Sequence, residues 1–236
     1  MEKQANDFIV QLKNVSKVYR QGKIEVKAVD HFSLDIPKAD FSALCGPSGS
    51  GETSILNLIG GLDVPTEGEV WVDKLNLSTL SAAELSNVRK NRIGFVFQSY
   101  NLIPVMTAYE NAEFVLSLQG VKEKECRDRV MATLKEVGLE GLENRRPDEM
   151  SGGQQQRVAI ARAIVTQPAI ILADEPTANV DSHTANALLD LMENLNQERR
   201  ITFLFSTHDQ RVMDRARRLI HLRDGLLEED EIRAMT

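Results

Sequence analysis

The chain has 236 residues, 42% apolar and 27% charged, the balance of a globular protein with a substantial core. Its net charge is −7, from 28 basic and 35 acidic residues, which argues against nucleic acid as a partner, since phosphate backbones select basic surfaces. No run approaches the roughly 18 apolar residues of a membrane span, and the opening MEKQANDFIVQLKNV carries charges where a signal peptide needs an apolar core.

Strand signals come first. Residues 8–15 (FIVQLKNV), 24–36 (IEVKAVDHFSLDI) and 41–45 (FSALC) are rich in β-branched and aromatic residues and broken by Gly, Pro and Asp. The third runs straight into Gly46. TSILNLIGGLD then predicts a helix from Thr53, stopped by the pair Gly60-Gly61. Residues 68–73 (GEVWVD) read as a strand. Residues 81–90 read as a helix capped by Ser81, with Glu84 at the capping-box spacing. Residues 93–98 (IGFVFQ) read as a strand.

From Ser99 to about Met150 the texture changes. Residues 107–120 and 122–138 carry helical periodicity and no strand-like run interrupts them. Residues 99–150 are therefore expected to form a helical subdomain inserted in one domain spanning 1–236. Then come a helix (154–165), a buried strand (169–174), a long helix (182–197) and a strand (201–206). RRLIHLRDGLLEED predicts a hairpin that turns at Asp224-Gly225. Apolar strands alternating with helices predict an α/β fold with a partly parallel sheet. Cys45 and Cys126 stand in unrelated contexts without a CxxC pair, the usage of a reducing compartment.

Residues 46–54 read GPSGSGETS: Gly46, Pro47, Ser48, Gly49, Ser50, Gly51, Glu52, Thr53 and Ser54. A phosphate-binding loop reads GxxxxGK[ST] between a strand and a helix. Its glycines let the backbone wrap so that successive N–H groups face phosphate oxygens, and the helix N-terminus adds its positive dipole end. The hydroxyl of Thr53 is placed to bind Mg²⁺. Where the loop needs lysine stands Glu52. Alone, the stretch reads equally well as a glycine-rich turn with no ligand. Residues 169–175 (AIILADE) form an apolar strand ending in two carboxylates. Such a strand can deliver Asp174 to Mg²⁺ through water and Glu175 to the attacking water; alone, it reads equally well as a strand ending in an acidic turn.

The stretch between them, MSGGQQQRVAIARAI from Met150 to Ile164, closely resembles the signature of ATP-binding-cassette (ABC) ATPases. Other features resemble that family in order. Ser151, Gly152, Gly153 and Gln154 match the signature core. Tyr19 resembles the aromatic that stacks on adenine, although it reads equally as a partly exposed strand residue. Gln98 resembles the Q-loop residue. ADEPTANVDS resembles the Walker B strand, the catalytic glutamate and the D-loop, with Asp181 in the last. STHD puts His208 at the switch histidine. The resemblance covers nearly the whole chain, and NLIGGLDVPTEGEVWVD is similar to the lipoprotein-release and macrolide-efflux (LolD and MacB) subfamily. Departures are few: Ala39-Asp40 for a glycine-acid turn, Met150 for leucine, Ala178 and Val180 for glycine and leucine, and Glu52.

The resemblance implies a P-loop NTPase (RecA-like) α/β core, an N-terminal antiparallel β portion and the inserted helical subdomain. It implies ATP and Mg²⁺ as ligands, the metal held by Thr53, Gln98 and Asp174, with Glu175 as general base and His208 on the γ-phosphate. It implies a second ATPase subunit, identical or different, whose signature closes on this loop, and a transmembrane permease that holds the chain on the cytoplasmic face of the membrane. SGGQ at a helix start has its own physical basis as an anion site: backbone N–H groups, a serine hydroxyl and a helix dipole.

Glu52 cuts against hydrolysis. A unit-charge pair at about 4 Å is worth about 4 kcal/mol at an effective dielectric of about 20. Reversing lysine to glutamate turns that attraction into a repulsion and removes a stabiliser of the transition state. Three origins stand open: a degenerate site that completes a partner's working one, an acquired or introduced substitution, and compensation by another basic residue. A catalytically silent or regulatory subunit is the alternative function.

Overall fold

The computed structural model describes residues 8–22 and 24–233. Two sheets are stacked. The first is antiparallel, in the order β2-β1-β4-β5, from β1 (Phe8–Gln21), β2 (Ile24–Pro37), β4 (Glu67–Val72) and β5 (Leu75–Asn76). The second has six strands in the order β10-β9-β3-β8-β7-β6. Here β3 (Phe41–Cys45), β6 (Ile93–Phe97), β7 (Ile170–Asp174), β8 (Thr202–Ser206) and β9 (Arg218–Arg223) run parallel, and β10 (Leu226–Ile232) is antiparallel to β9.

The parallel strands are covered on both faces, so their sequences are continuous apolar runs. Phe41, Ala43, Cys45, Ile171, Ala173, Phe203 and Phe205 point into one core. Leu44, Ile170, Leu172 and Leu204 point into the other. The first core is closed by α3 (Ala108–Gln119), α4 (Glu123–Glu136), α5 (Gly152–Ile164) and α6 (Ser182–Arg199). The second is closed by α1 (Glu52–Ile59), α2 (Ala82–Arg92) and the antiparallel sheet. The rings of Phe41, Phe203 and Phe205 pack with centroids 4.8–5.9 Å apart, each burial worth about 1.5–3 kcal/mol.

Local signals set the element ends. Capping boxes start α2 at Ser81, α3 at Thr107 and α5 at Ser151. The β9–β10 hairpin turns at Asp224 and Gly225, both at positive φ, as a tight primed turn needs. Among the elements that differ from the sequence expectation are these three. β1 runs on to Gln21 because Lys17–Gln21 pair with Ile24–Val29, a hairpin the polar sequence does not advertise. α5 starts at Gly152, not Gln154, because Ser151 caps it. The six-residue helix α7 (Gln210–Arg215) is too short to show periodicity and rests on its cap Asp209.

Candidate functional site

All five parallel strands present their C-terminal ends to one edge, and open α/β sheets bind ligands outside such edges. β3 delivers Gly46, β6 delivers Gln98, β7 delivers Asp174 and Glu175, and β8 delivers Thr207 and His208.

The loop after β3 is a fixed cradle. Gly49 and Gly51 adopt φ of 88° and 105°, which side chains disfavour. A Cβ on Gly46 would lie 2.2 Å from the carbonyl oxygen of Leu222, and one on Gly51 would lie 2.3 Å from that of Ala28. The backbone N–H and hydroxyl of Ser50 donate to the Pro47 carbonyl at 3.0 and 2.6 Å. No side chain caps α1, so its first N–H groups face the cradle as an anion site. Pro47, Ser48 and Gly49 are exposed at its mouth.

Glu52 lies inside this cradle. It is only 7% exposed, and its Oε1 has no hydrogen-bond partner. That oxygen lies 2.9 Å from where a Gly46 Cβ would stand, and the carboxylate turns back toward its own N–H. Burial raises its pKa; the amide and His208 pull it down, and Glu175 and Asp174 push it up again. A buried carboxyl group thus lies inside the cradle. Burial beside Glu52 also pushes the Cys45 thiol up to about 11, which leaves it inert. Both cysteines are free and buried.

Beside the cradle, the Thr53 hydroxyl donates to Asp174 Oδ1 at 3.5 Å. Oxygens that share an octahedral Mg²⁺ at about 2.0–2.1 Å stand about 3 Å apart, so the pair fits such an ion with little adjustment. Among the described residues no group of three or more His, Cys, Asp or Glu is placed to hold a metal. A hydroxyl, one carboxylate and an amide suit Mg²⁺, which keeps waters and phosphate oxygens, better than a metal caged by protein.

Glu175 is a non-glycine residue at φ 44°, an uncommon conformation. Its N–H donates to the Ser206 carbonyl at 2.9 Å. One carboxylate oxygen accepts from the Thr207 hydroxyl at 3.1 Å, the other from the His208 N–H at 3.0 Å and the His208 ring Nε2 at 2.7 Å. A base and a histidine are therefore already paired. Thr207, quoted within STHD but given no role from sequence, is the residue that fixes the base. Tyr19 is 38% exposed. Its hydroxyl donates to Asp63 at 2.9 Å and bonds Ser54, and the Lys17 ammonium lies 5.0 Å from its ring; burial raises its pKa. The ring thus flanks the start of α1.

Gln98 is exposed at the end of β6. Ser151 caps α5 by accepting from the Gln154 N–H at 3.3 Å, while Gln154 accepts from the Ser151 N–H at 2.9 Å. Asp181 caps α6 through the Thr184 N–H. No hydrogen bond or ion pair among the described residues joins 151–154 to the loop at 46–54. The chain carries two anion-binding ends, not one assembled site. Sequence reasoning missed Asn179, Tyr100 and Arg162, which meet around Gln98 by non-local contacts no motif encodes.

The family model described as ABC transporter matches residues 29–178. An uncharacterised ABC transporter ATP-binding protein of Methanocaldococcus jannaschii is 44% identical over 227 residues, covering 94% of this chain and 97% of that protein. The macrolide export ATP-binding/permease protein MacB of Syntrophobacter fumaroxidans is 43% identical over 223 residues; 93% of this chain matches 31% of its length. A dimeric structure of the M. jannaschii cassette, in a post-hydrolysis state bound to ADP and Pi, superposes with a TM-score of 0.88 at 43% identity, over 96% of this chain and 100% of the other. With the cradle, the Thr53–Asp174 pair and the Glu175–His208 pair on one sheet edge, these likenesses define nucleotide binding and, by family resemblance, ATP hydrolysis. The chain belongs to the ABC transporter family, as an ATP-binding subunit of the LolD/MacB type.

Proposed function

We propose that the chain energises an export or lipoprotein-release transporter, held on the cytoplasmic face of the membrane by a transmembrane permease. No helix among the described residues is long and apolar enough to cross a membrane; in this reading the permease supplies the spanning part. Two cassettes close head to tail, each ATP lying between the loop of one and Ser151–Gln154 of the other. The helical segment 99–150 passes the motion on to the permease.

The observation that carries the reading is the pairing of Glu175 with His208 beside the loop and the Thr53–Asp174 oxygens. Loop amides bind and orient the phosphates, and Tyr19 flanks the adenine. Thr53, Asp174 and Gln98 would hold Mg²⁺, which would supply charge neutralisation to the phosphates. Glu175 takes the proton of the attacking water. His208, freed from Glu175 as ATP enters, donates from Nε2 to the γ-phosphate. Glu52 blocks the first step: its carboxylate repels the phosphates and contributes no charge to the transition state.

A second reading follows from the same burial of Glu52: a subunit silent at its own loop, whose intact signature completes a partner's site. Steady-state ATP turnover and ATP binding of the chain, Glu52→Lys and Glu52→Ala test both. Glu52→Lys should raise turnover by about 100-fold or more, the scale of one transition-state charge donor. Glu52→Ala should tighten ATP by about tenfold, by clearing the cradle of an anion, with no comparable rise in turnover. Equal turnover of the parent and Glu52→Lys would overturn the electrostatic reading.

A further inference from the structure

Gln98 reaches the site from a turn whose shape is not self-supporting. Tyr100 and Asn101, the residues that turn the chain after β6, adopt φ of 59° and 50°. Two successive non-glycine residues in the left-handed region are disfavoured, so the surroundings must hold them. The Arg162 guanidinium, on α5, does so. It donates to the Tyr100 carbonyl at 2.9 Å and to the Asn101 carbonyl. Among the described residues no carboxylate lies within ion-pair distance of Arg162, and burial lowers its pKa. The two carbonyls of this turn are thus what satisfies a desolvated cation, by charge-assisted bonds.

Two further contacts close the arrangement. The Asn179 side-chain amide donates to the Gln98 carbonyl at 2.9 Å, and the Tyr100 hydroxyl donates to the Asn179 carbonyl at 3.1 Å. A Cβ on Gly152 would meet that tyrosine hydroxyl at 2.8 Å, so the start of α5 abuts the same ring. Downstream, the buried Asn111 donates to the carbonyls of Ile103, Met106 and Thr107, anchoring the far end of the segment to α3.

We propose that Arg162 is a positioning residue: its guanidinium fixes the turn that carries Gln98, so that α5, with the signature at its N-terminus, and Gln98 move as one body. Asn179 and Tyr100 tie that body to the segment after Glu175. A change at the signature end of α5 is thereby felt at Gln98 without passing through the nucleotide. The consequence for nucleotide rests on the reading of Gln98 as a metal-holding group; the mechanical part does not.

The test uses the full chain, in the parent and Glu52→Lys backgrounds, with Arg162→Lys, Arg162→Met and Gln98→Ala. Lysine keeps the charge but cannot fork across two carbonyls, so Arg162→Lys remains informative even where Arg162→Met folds poorly. Amide exchange at 98–103 should speed up by about tenfold in Arg162→Lys, with melting temperature nearly unchanged. Titration calorimetry with MgATP and MgADP should show the ATP-over-ADP preference falling by about tenfold in both Arg162→Lys and Gln98→Ala. Unchanged exchange overturns the proposal. Altered exchange with the preference lost only in Gln98→Ala overturns the positioning of Gln98. Altered exchange with the preference intact in both variants leaves the mechanical tie standing and overturns instead the nucleotide role given to Gln98.

Discussion

Glu52 is buried within the loop at 46–54, and its electrostatics can be tested apart from turnover. A carboxylate buried in a loop built for anions has no comfortable state: ionised, it lacks solvent and leaves Oε1 without a partner. Burial is the largest influence on it and raises its pKa above the unfolded value. Ionisation therefore costs the folded state. The stability is complete below the ordinary glutamate range, near about 4.3, and declines as pH rises through the folded value. Glu52→Gln cannot ionise, so it should melt higher than the parent at pH 7 and match it at pH 4. A buried unpaired polar group costs about 1–3 kcal/mol, and each kcal/mol is about 2–4 °C in a chain of this size. Melting curves at the two pH values check this. A difference that is constant with pH, or that grows toward acid, would mean the carboxylate is not strained by burial.

The same logic separates two jobs of one residue at the scale of the element. Asp181 lies in the segment the resemblance assigns to the D-loop, and it is also the N-cap of the 18-residue helix α6, accepting from the Thr184 N–H at 3.0 Å and its hydroxyl at 2.6 Å. Asp181→Ala should lower the melting temperature by about 2–4 °C through the lost cap. Asp181→Ser keeps a capping oxygen and should melt like the parent. An effect on nucleotide or dimerisation that survives in Asp181→Ser then belongs to the carboxylate, and one that disappears belongs to the helix.

Elements of this kind were legible in the sequence where the cause is local. β3, β6, β7 and β8 announce themselves because burial on both faces demands apolar runs, and α2 because Ser81 and Glu84 sit at capping-box spacing. The candidate site residues came from the match of Met150–Ile164 to the family signature; the loop at 46–54 and the acidic strand end, each taken alone, read equally well as a turn and a strand end. What stayed hidden is non-local. The second half of β1 is made by pairing with β2, not by its own residues. Glu175, in its left-handed conformation, donates its N–H to the distant Ser206 carbonyl, and the Arg162 tie to Tyr100 spans 62 positions.

At the scale of the whole molecule the question is whether the two anion-binding ends serve one site or two. Among the described residues no hydrogen bond or ion pair joins the signature to the loop within one chain, and Ser151 and Gln154 satisfy each other. In the head-to-tail pairing proposed above, the loop of one chain would meet the signature of the other and form two composite sites. In the proposed reading the parent supplies a sound signature and a failing loop. The double variant Glu52→Lys, Ser151→Asp supplies the converse. Aspartate caps a helix as well as serine does, so α5 keeps its start, while its charge repels a phosphate brought to that end. Each protein alone should be nearly silent. Mixed in equal amounts, half the pairs are mixed and each holds one sound composite site, so turnover should recover to about a quarter of that of Glu52→Lys alone by random pairing. Recovery that rises as the product of the two concentrations, and is lost when the parent also carries Ser151→Asp, places the working site between chains. Silence in the mixture, with Glu52→Lys alone active, would mean either that each chain completes its own site or that a pair turns over only when both sites are sound. A covalent tandem of parent and Glu52→Lys then separates these: it turns over in the first case and stays silent in the second, whereas a tandem of parent and double variant is silent in both.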